Sequence, residues 1–305
     1  MNILISTTTN WNPGDDFIRY GVKNLLDSIY FDINYIHYDR NPDYFESGLW
    51  EMGHNHKSNV MNDPIDWSVI DVVVLAGSPE FLGGPLKPLY EGLAENPHIP
   101  LLLIGVGYSH EVDNLVLSHE EFLVLSRPEN LIIVRQYDLQ EKLNELLEDC
   151  RTVNCLPCPA IFASFRDYRG DQFNKLVIRQ APIGLQALDK KDYHEMIGEA
   201  KTSDTCLFHY IEDFKYFNGR GYFSTEARDL LLKIIQYKEV VSNRLHGGIV
   251  ALGAGSKVKI INSSNRVQKA LEPYKPYLKD GFYEMTLDEV NEVKGKYTKL
   301  IEEYL

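Results

Sequence analysis

Short apolar runs alternate with helical patterns along the first half of the chain. The runs are rich in Val, Ile and Leu, as is typical of strands buried in a parallel sheet. We predict strands at residues 2–7, 33–37, 70–75, 100–106, 131–134 and 152–156. Between these runs, apolar residues recur at the i, i+3 and i+4 spacing of amphipathic helices, for example at residues 17–29 and 138–147. This alternation predicts a doubly wound α/β sheet.

The same alternation restarts after residues 166–173, a charged and turn-rich stretch that we interpret as a linker. Predicted strands occupy residues 176–179, 206–210, 240–241 and 258–261, and predicted helices occupy residues 192–200, 223–237 and 247–254. We therefore predict two Rossmann-like α/β domains that face each other across a cleft. The first domain spans residues 1–165, and the second spans residues 166–285.

A final helix is predicted within residues 286–305. Thr286 and Glu289 have the spacing of a capping box, and the apolar residues that follow fall on one helical stripe. This stripe needs a partner surface. The second domain can provide it, or the helix can return to pack on the first domain.

Length and charge narrow the classes of function. A length of 305 residues agrees with two domains. The formal net charge of −13 argues against nucleic acid or an anionic membrane as the main partner. The N-terminal segment lacks the cationic and apolar regions of a signal peptide, and no apolar run reaches the length of a membrane span. We therefore expect a cytoplasmic protein.

Candidate metal-ligating residues are few, and their surroundings do not favour a metal site. Cys155 and Cys158 form a C-x-x-C motif, but the prolines within and after it oppose the helix start that redox motifs have. We expect reduced, partly buried thiols there. His54 and His56 lie in residues 39–66, which we interpret as a solvated loop and a candidate lid. No metal site is predicted.

Two cationic turns follow strands in the second domain. Arg244 and His246 come after the run at 240–241, and Arg266 comes after the run at 258–261. Turns at the carboxyl ends of strands bind ligands in open α/β sheets. Each of these turns also opens a helix, whose N-terminus favours anions. Together the two turns predict a site for a small anion that carries several charges.

Strand-end turns of the first domain also contain candidate ligand-binding groups. Residues 12–15 (NPGD) form a strand-to-helix turn in which Gly14 permits close approach of the backbone. Gly77 and Ser78 lie in a turn of small residues after the third run, and Arg135 follows the fifth run directly. If the two domains face each other, the 12–15 turn and Arg135 lie opposite the cationic turns.

The stretch SNRLHGGIVALGAGSKVKII, residues 242–261, resembles the C-terminal signature of the polysaccharide pyruvyl transferase family. That signature is an Arg-x-His turn followed by a helix of small residues. Shorter motifs resemble the family in the same order along the chain: NPGD at 12–15, LAGSPEFLGG at 75–84, LLLIGVG at 101–107 and IIVRQYD at 132–138. The likeness therefore extends over nearly the whole chain.

The resemblance implies a fold similar to GT-B glycosyltransferases and a specific reaction. An enolpyruvyl group would pass from phosphoenolpyruvate to two hydroxyls of a sugar or glycan precursor, which yields a pyruvate ketal. Phosphoenolpyruvate is then the anionic donor substrate, a carbohydrate is the acceptor, and no cofactor is needed. The residues implied to be catalytic are His246, Arg244 and Asp15. The residues implied to bind substrate are Arg135, Arg266, Asn12, Gly14, Gly77, Ser78, Gly247 and Gly248.

The residue types suit this chemistry. Arginine binds carboxylate and phosphate groups through two parallel hydrogen bonds, and the donor carries one group of each kind. Histidine can transfer protons near neutral pH. Such a site binds small molecules rather than nucleic acid.

The chain departs from the family pattern at several positions. Gln136 stands where the family has Asp after Arg, Cys158 replaces the Asp of an Asp-Pro-Ala motif, and Arg266 stands where a Lys is typical. Two alternatives therefore stay open. One is a GT-B-like glycosyltransferase that uses a nucleotide sugar, and the other is a non-catalytic descendant that binds a ligand or serves as a scaffold. A homo-oligomer is compatible with each reading.

Overall fold

Parallel strands alternate with helices through the first half of the chain, as the apolar pattern predicts. The computed structural model describes residues 1–7, 12–39, 65–77, 81–108, 110–147, 152–164, 173–179, 190–208, 221–224 and 226–305. The elements of the first half are β1 (Asn2–Thr7), α1 (Pro13–Asp27), β2 (Asn34–Asp39), β3 (Val72–Ala76), α2 (Lys87–Glu95), β4 (Leu101–Val106), α3 (His119–Leu125), β5 (Leu131–Val134), α4 (Tyr137–Leu146) and β6 (Asn154–Cys155). A short 3-10 helix at Pro159–Phe162 follows them.

Within the described residues, the first sheet has six parallel strands in the order β2-β1-β3-β4-β5-β6. Every residue of β3, β4 and β5 is buried. Alternate side chains of these strands enter two hydrophobic clusters on opposite faces of the sheet, which explains their continuous apolar sequences. The strand order reverses between β1 and β3. Ligands bind beside such a reversal in doubly wound sheets.

The second half repeats this architecture. Its elements are β7 (Phe173–Arg179), α5 (Lys190–Lys201), β8 (Thr205–Phe208), β9 (Gly221–Phe223), α6 (Ala227–Ile234), β10 (Tyr237–Ser242), α7 (Leu245–Gly253), β11 (Lys257–Ile260), α8 (Asn265–Leu271), β12 (Leu278–Lys279), β13 (Phe282–Tyr283) and α9 (Leu287–Glu302). The described strands are ordered β12-β13-β11-β10-β7-β8-β9, and the five from β11 to β9 are parallel. Here the order reverses between β7 and β10.

The two domains pack closely around the 3-10 helix at Pro159–Phe162. A Cβ atom at Gly21 of α1 would lie 1.8 Å from the Pro159 carbonyl oxygen. A Cβ atom at Gly253 of α7 would lie 1.9 Å from the Ile161 carbonyl oxygen. Only glycine therefore lets these two helices approach the 3-10 helix from either side. One hydrophobic cluster runs without a break from the first domain into the second.

The last helix, α9, contacts the segment that leads into the second domain. Its capping box is formed as predicted, since Thr286 accepts from the Glu289 backbone and Glu289 accepts from the Thr286 backbone. The buried Tyr297 hydroxyl donates to the Pro157 carbonyl at 2.9 Å, and the Tyr297 ring meets the Phe162 ring edge-on. The apolar stripe of α9 thus reaches residues within the range 1–165.

One helix prediction is wrong. The helix predicted at 223–237 is only α6 (Ala227–Ile234), because Phe223 ends an edge strand and Tyr237 begins β10. At the start of α1, Asn12 is the cap and Pro13 takes the first helical position, where its missing N–H costs nothing. The linker was predicted at residues 166–173, and its last residue, Phe173, instead begins β7. Residues 166–172, the 165/166 boundary, and His54 and His56 lie outside the described residues. No helix in the described ranges is long and apolar enough to cross a membrane.

Candidate functional site

The turns at the two sheet reversals meet across the cleft. Asn12 caps α1 by accepting a hydrogen bond from the Gly14 backbone at 3.0 Å. The same side-chain oxygen accepts a hydrogen bond from Arg244 Nη2 at 3.2 Å. The Ser242 hydroxyl accepts a hydrogen bond from the Arg244 backbone N–H and donates one to the Arg244 carbonyl. These two hydrogen bonds fix the backbone of the cationic turn at the end of β10.

A second contact across the cleft joins Arg135 and His246. Arg135 follows β5, His246 lies in the first turn of α7, and Arg135 Nη1 is 2.8 Å from His246 Nε2. Only 2% of Arg135 and 9% of His246 are exposed. A guanidinium group has donors and no acceptor, so Nε2 must be the acceptor. The imidazole in this arrangement therefore carries a single proton, on Nδ1.

The charge of Arg135 faces neutral acceptors. Besides His246, its Nη1 contacts the Cys158 thiol at 3.7 Å. Within the described residues Arg135 forms no ion pair with a carboxylate, and its buried Nε has no acceptor. Burial raises the pKa of the Cys158 thiol, although Arg135 opposes this, so the thiol is not a counter-ion. A buried guanidinium without a carboxylate partner favours binding of an anion.

Gly14 sets the position of the His246 ring. A Cβ atom at Gly14 would lie 2.7 Å from His246 Nδ1 and 3.4 Å from His246 Cβ. The N-terminus of α1 thus backs directly onto the imidazole. This close approach explains why a glycine follows Pro13 in the turn.

The acidic pair in the first turn of α1 is buried. Asp15 is 5% exposed and Asp16 is 3% exposed. Burial raises the pKa of Asp16 to about 7, and Arg19, 2.6 Å away, only partly opposes the rise. Asp15 and the carboxylate of Glu226, which lies just before α6, raise the pKa of Asp16 further.

A hydrogen bond connects the second cationic turn to the first. Asn262, after β11, donates from its side chain to the Asn243 carbonyl at 3.0 Å. Arg266 lies in the first turn of α8 and is half-buried at the same edge of the sheet. One turn further along α8, Lys269 forms an ion pair of 2.5 Å with Asp138 of α4, which is a third contact across the cleft.

Comparison with known protein families identifies the family of this chain. A family model for polysaccharide pyruvyl transferase matches residues 12–265. The chain belongs to the polysaccharide pyruvyl transferase family. The match begins at the α1 cap and ends at the start of α8, so it includes the contacts Asn12–Arg244 and Arg135–His246. No curated protein sequence matches the chain.

Solved structures show the fold. The chain is similar to UDP-GlcNAc 2-epimerase from Methanocaldococcus jannaschii, with 11% identity, a TM-score of 0.53 and complete coverage of both chains. It is also similar to UDP-GlcNAc 2-epimerase from Neisseria meningitidis bound to UDP-GlcNAc, with 11% identity and a TM-score of 0.51 over 99% of this chain and 92% of that one. These neighbours have the GT-B arrangement. This pyruvyl transferase family member is therefore GT-B-like, with two Rossmann-like domains facing across a cleft.

Two departures from the family pattern have visible consequences. Gln136 accepts from the Tyr108 N–H at 2.6 Å and donates to the Tyr108 carbonyl at 3.5 Å, which joins the turns after β4 and β5. An Asp could accept but not donate there. Cys158 offers Arg135 a weak neutral acceptor in place of a carboxylate. A carboxylate at this position could pair with Arg135, whereas the neutral thiol does not balance the charge of the guanidinium.

Several predicted glycines pack tightly in this family member. A Cβ atom at Gly77 would lie 2.3 Å from the Ile18 side chain, and one at Gly248 would lie 2.1 Å from the Ile260 side chain. These two glycines bring α1 and α7 close to their sheets. Gly247 is buried in the first turn of α7. Ser78 lies outside the described residues.

The sequence pattern did not single out Gly107 and Asp16. A Cβ atom at Gly107 would lie 2.7 Å from Arg135 Nε, so this glycine makes room for the guanidinium. Its signal was the second glycine of LLLIGVG. For Asp16 the signal was the consecutive acid pair at a helix start.

Among the described residues no group of three or more His, Cys, Asp or Glu side chains could hold a metal ion, and Cys155, Cys158 and Cys206 are free thiols.

Proposed function

We propose that this protein transfers an enolpyruvyl group from phosphoenolpyruvate to two hydroxyls of a sugar or glycan precursor. The observation that carries the proposal is the convergence of Arg135, Arg244 and His246 between the domains. The buried Arg135 lacks a carboxylate partner among the described residues. Two separated guanidinium groups match a donor that has both a carboxylate and a phosphate. His246, beside Arg135, provides a group for proton transfer.

The reaction balances without an oxidant or a metal. The methylene carbon of phosphoenolpyruvate gains one proton, and its central carbon forms two C–O bonds to sugar oxygens. Inorganic phosphate leaves. Of the two protons that the hydroxyls lose, one replaces the proton used at the methylene carbon and the other goes to phosphate or solvent. In this scheme Arg135 and Arg244 hold the donor, and His246 protonates the methylene carbon.

Asp15 and the 12–15 turn are assigned to the acceptor side. Asp15 is buried in the first turn of α1, on the domain that faces the cationic turn. A carboxylate there can accept a proton from an attacking hydroxyl. Arg266, in the first turn of α8, adds a further cation on the second domain.

The proposal is tested first by binding. Phosphoenolpyruvate should raise the melting temperature, because a ligand that binds only the folded state stabilises it. Arg244→Ala should abolish the rise. The matched control is Arg228→Ala, because Arg228 is exposed on α6 and should leave the rise unchanged. Turnover is then followed as phosphate release from phosphoenolpyruvate in the presence of a panel of sugars.

Other ligands give the contrary outcomes. Stabilisation by a nucleotide sugar, and none by phosphoenolpyruvate, would replace the proposal with a glycosyltransferase. A folded protein that responds to neither ligand would point to a non-catalytic family member. Stabilisation by phosphoenolpyruvate that persists in Arg244→Ala would refute the role of the cationic turn.

A further inference from the structure

The Arg135–His246 contact conflicts with the role proposed for His246. To protonate the donor, the ring must carry a proton that it can give away. In the structure Nε2 accepts a hydrogen bond from a guanidinium at 2.8 Å and so holds no proton. Arg135 is 2% exposed and His246 is 9% exposed, so bulk water does not readily replace the hydrogen bond between them. The ring observed in this arrangement cannot donate a proton through Nε2.

An anionic donor removes the conflict. Carboxylate and phosphate oxygens form hydrogen bonds with guanidinium groups in which both partners are charged, and these bonds are frequently bidentate. In a bond to a neutral imidazole only the guanidinium is charged. In the part of the chain that the structure describes, the acceptors of Arg135 are neutral, His246 Nε2 and Cys158 Sγ, and its Nε has none. An anion that enters beside Arg135 therefore replaces Nε2 as the hydrogen-bond acceptor of the guanidinium. The released imidazole, next to a negative charge, then gains a proton.

We propose that Arg135 and His246 form a latch that an anionic donor opens. In the free protein Arg135 keeps His246 Nε2 unprotonated. Donor binding turns Arg135 towards the anion, and His246 takes up one proton from solvent at Nε2. That proton is the one passed to the methylene carbon, after which the neutral ring can close the latch again. The role of the proton rests on the proposed function, whereas the latch itself needs only an anion.

Charged and titratable groups surround the pair from several elements. Asp15 lies in α1, Cys158 lies in the segment after β6, and Arg244 occupies the N-cap position of α7. Tyr274 donates to the Cys158 carbonyl and, like Tyr297, lies close enough for Arg135 to lower its pKa. Burial keeps the pKa of each of these tyrosines well above its usual value, so neither of them changes charge near neutral pH.

The test follows the protons of His246 by NMR of the full chain labelled with 15N-histidine. His246→Gln identifies the resonances, and the exposed His98 serves as an internal control. At about pH 6.5, where an ordinary histidine is half protonated, His246 of the free protein should show only the Nδ1–H neutral form. Arg135→Leu should give partial protonation at Nε2. Arg135→Lys keeps a cationic donor at this position. If Nε2 stays unprotonated in this variant, the protonation in Arg135→Leu comes from loss of the donor and not from a misfolded site.

Titration with an anion then opens the latch. Phosphoenolpyruvate and, in a separate sample, inorganic phosphate should each add one proton to Nε2 in step with binding, while His98 stays unchanged. If phosphoenolpyruvate does not bind but phosphate protonates Nε2, the latch stands and the proposed reaction fails. If phosphoenolpyruvate binds and Nε2 stays unprotonated, the latch fails and the reaction stands. A free protein with a proton on Nε2, or two anions without effect on it, would overturn the latch.

Discussion

Asn12 and Arg244 meet across the cleft through a hydrogen bond of 3.2 Å from Arg244 Nη2 to Asn12 Oδ1. The acceptor is uncharged, so it orients the guanidinium and leaves its charge intact. The same oxygen caps α1 through the Gly14 backbone. One amide therefore couples the start of a helix in the first domain to the cationic turn of the second.

The charge of this acceptor leads to the first prediction. Asn12→Asp should keep the cap, because Asn and Asp are about equally good at this position. Its carboxylate should pair with Arg244 and compete with the donor. We expect an unchanged free energy of unfolding and donor binding weakened about tenfold, which corresponds to about 1.4 kcal/mol. Chemical denaturation and calorimetric titration measure the two quantities.

Asn12→Ala is the companion variant. It removes the cap and the Arg244 acceptor together, so the free energy of unfolding should fall by about 1 kcal/mol. Unweakened donor binding in Asn12→Asp would show that Arg244 does not hold the anion.

The second prediction concerns the space beside His246. In Gly14→Ala the new methyl group would lie 2.7 Å from His246 Nδ1, so the ring must move. A displacement of about 1 Å at a reacting group can lower a rate by about 100-fold. We expect a loss of turnover of that order with the fold intact. Circular dichroism checks the fold, and phosphate release measures turnover.

Gly295→Ala is the matched control for Gly14→Ala. Gly295 is exposed in α9, and a Cβ atom there meets nothing within 4 Å. The control should keep full turnover and gain up to about 1 kcal/mol from better helix propensity. Equal turnover in both variants would mean that the position of the His246 ring does not matter for the reaction.

The strands were the most predictable part of the fold. Apolar runs buried on both faces have sharp ends, and the predicted strand at 131–134 coincides with β5 (Leu131–Val134). The prediction at 223–237 failed because the helical pattern of α6 is flanked by aromatic residues that also suit strands, Phe223 and Tyr237. Pairing with β8 and β7 decides these ends, and pairing is not local.

The site was predictable as a set of turns and not as a set of contacts. A turn at the carboxyl end of a parallel strand lies at a known edge of its sheet, which is why Arg244 and Arg135 could be named. The distance between Arg135 and His246 depends on how two domains dock and on the close packing of Gly21 and Gly253. Nothing in a local pattern contains that information.

The third prediction is a pH dependence caused by Asp16. Its pKa is 3.8 for an ordinary aspartate and about 7 in the folded protein, chiefly because the group is buried. Between these values the folded state keeps the proton and the unfolded state has released it. The free energy of unfolding therefore falls as pH rises through this window. Each unit of pKa difference corresponds to about 1.4 kcal/mol, so the fall amounts to a few kcal/mol.

Asp16→Asn isolates this contribution. The variant cannot titrate, so its free energy of unfolding should fall less than that of the wild type between about pH 4 and about pH 7. The slope is the readout, because the absolute value also includes the loss of the Arg19 ion pair. Urea unfolding at several pH values measures it. Parallel slopes in the two proteins would contradict a raised pKa at Asp16.

The last prediction tests how α9 fastens the two domains. The Tyr297 hydroxyl is fully buried and donates to the Pro157 carbonyl at 2.9 Å. Tyr297→Phe leaves this carbonyl buried without a donor, which should lower the free energy of unfolding by about 1–3 kcal/mol. Tyr137→Phe is the control, because Tyr137 is 45% exposed and loss of its hydroxyl should change the free energy of unfolding little. Because Tyr274 donates to the neighbouring Cys158 carbonyl, the loss in Tyr274→Phe should not simply add to that in Tyr297→Phe. Equal unfolding midpoints for Tyr297→Phe and Tyr137→Phe would show that the α9 contact contributes no stability.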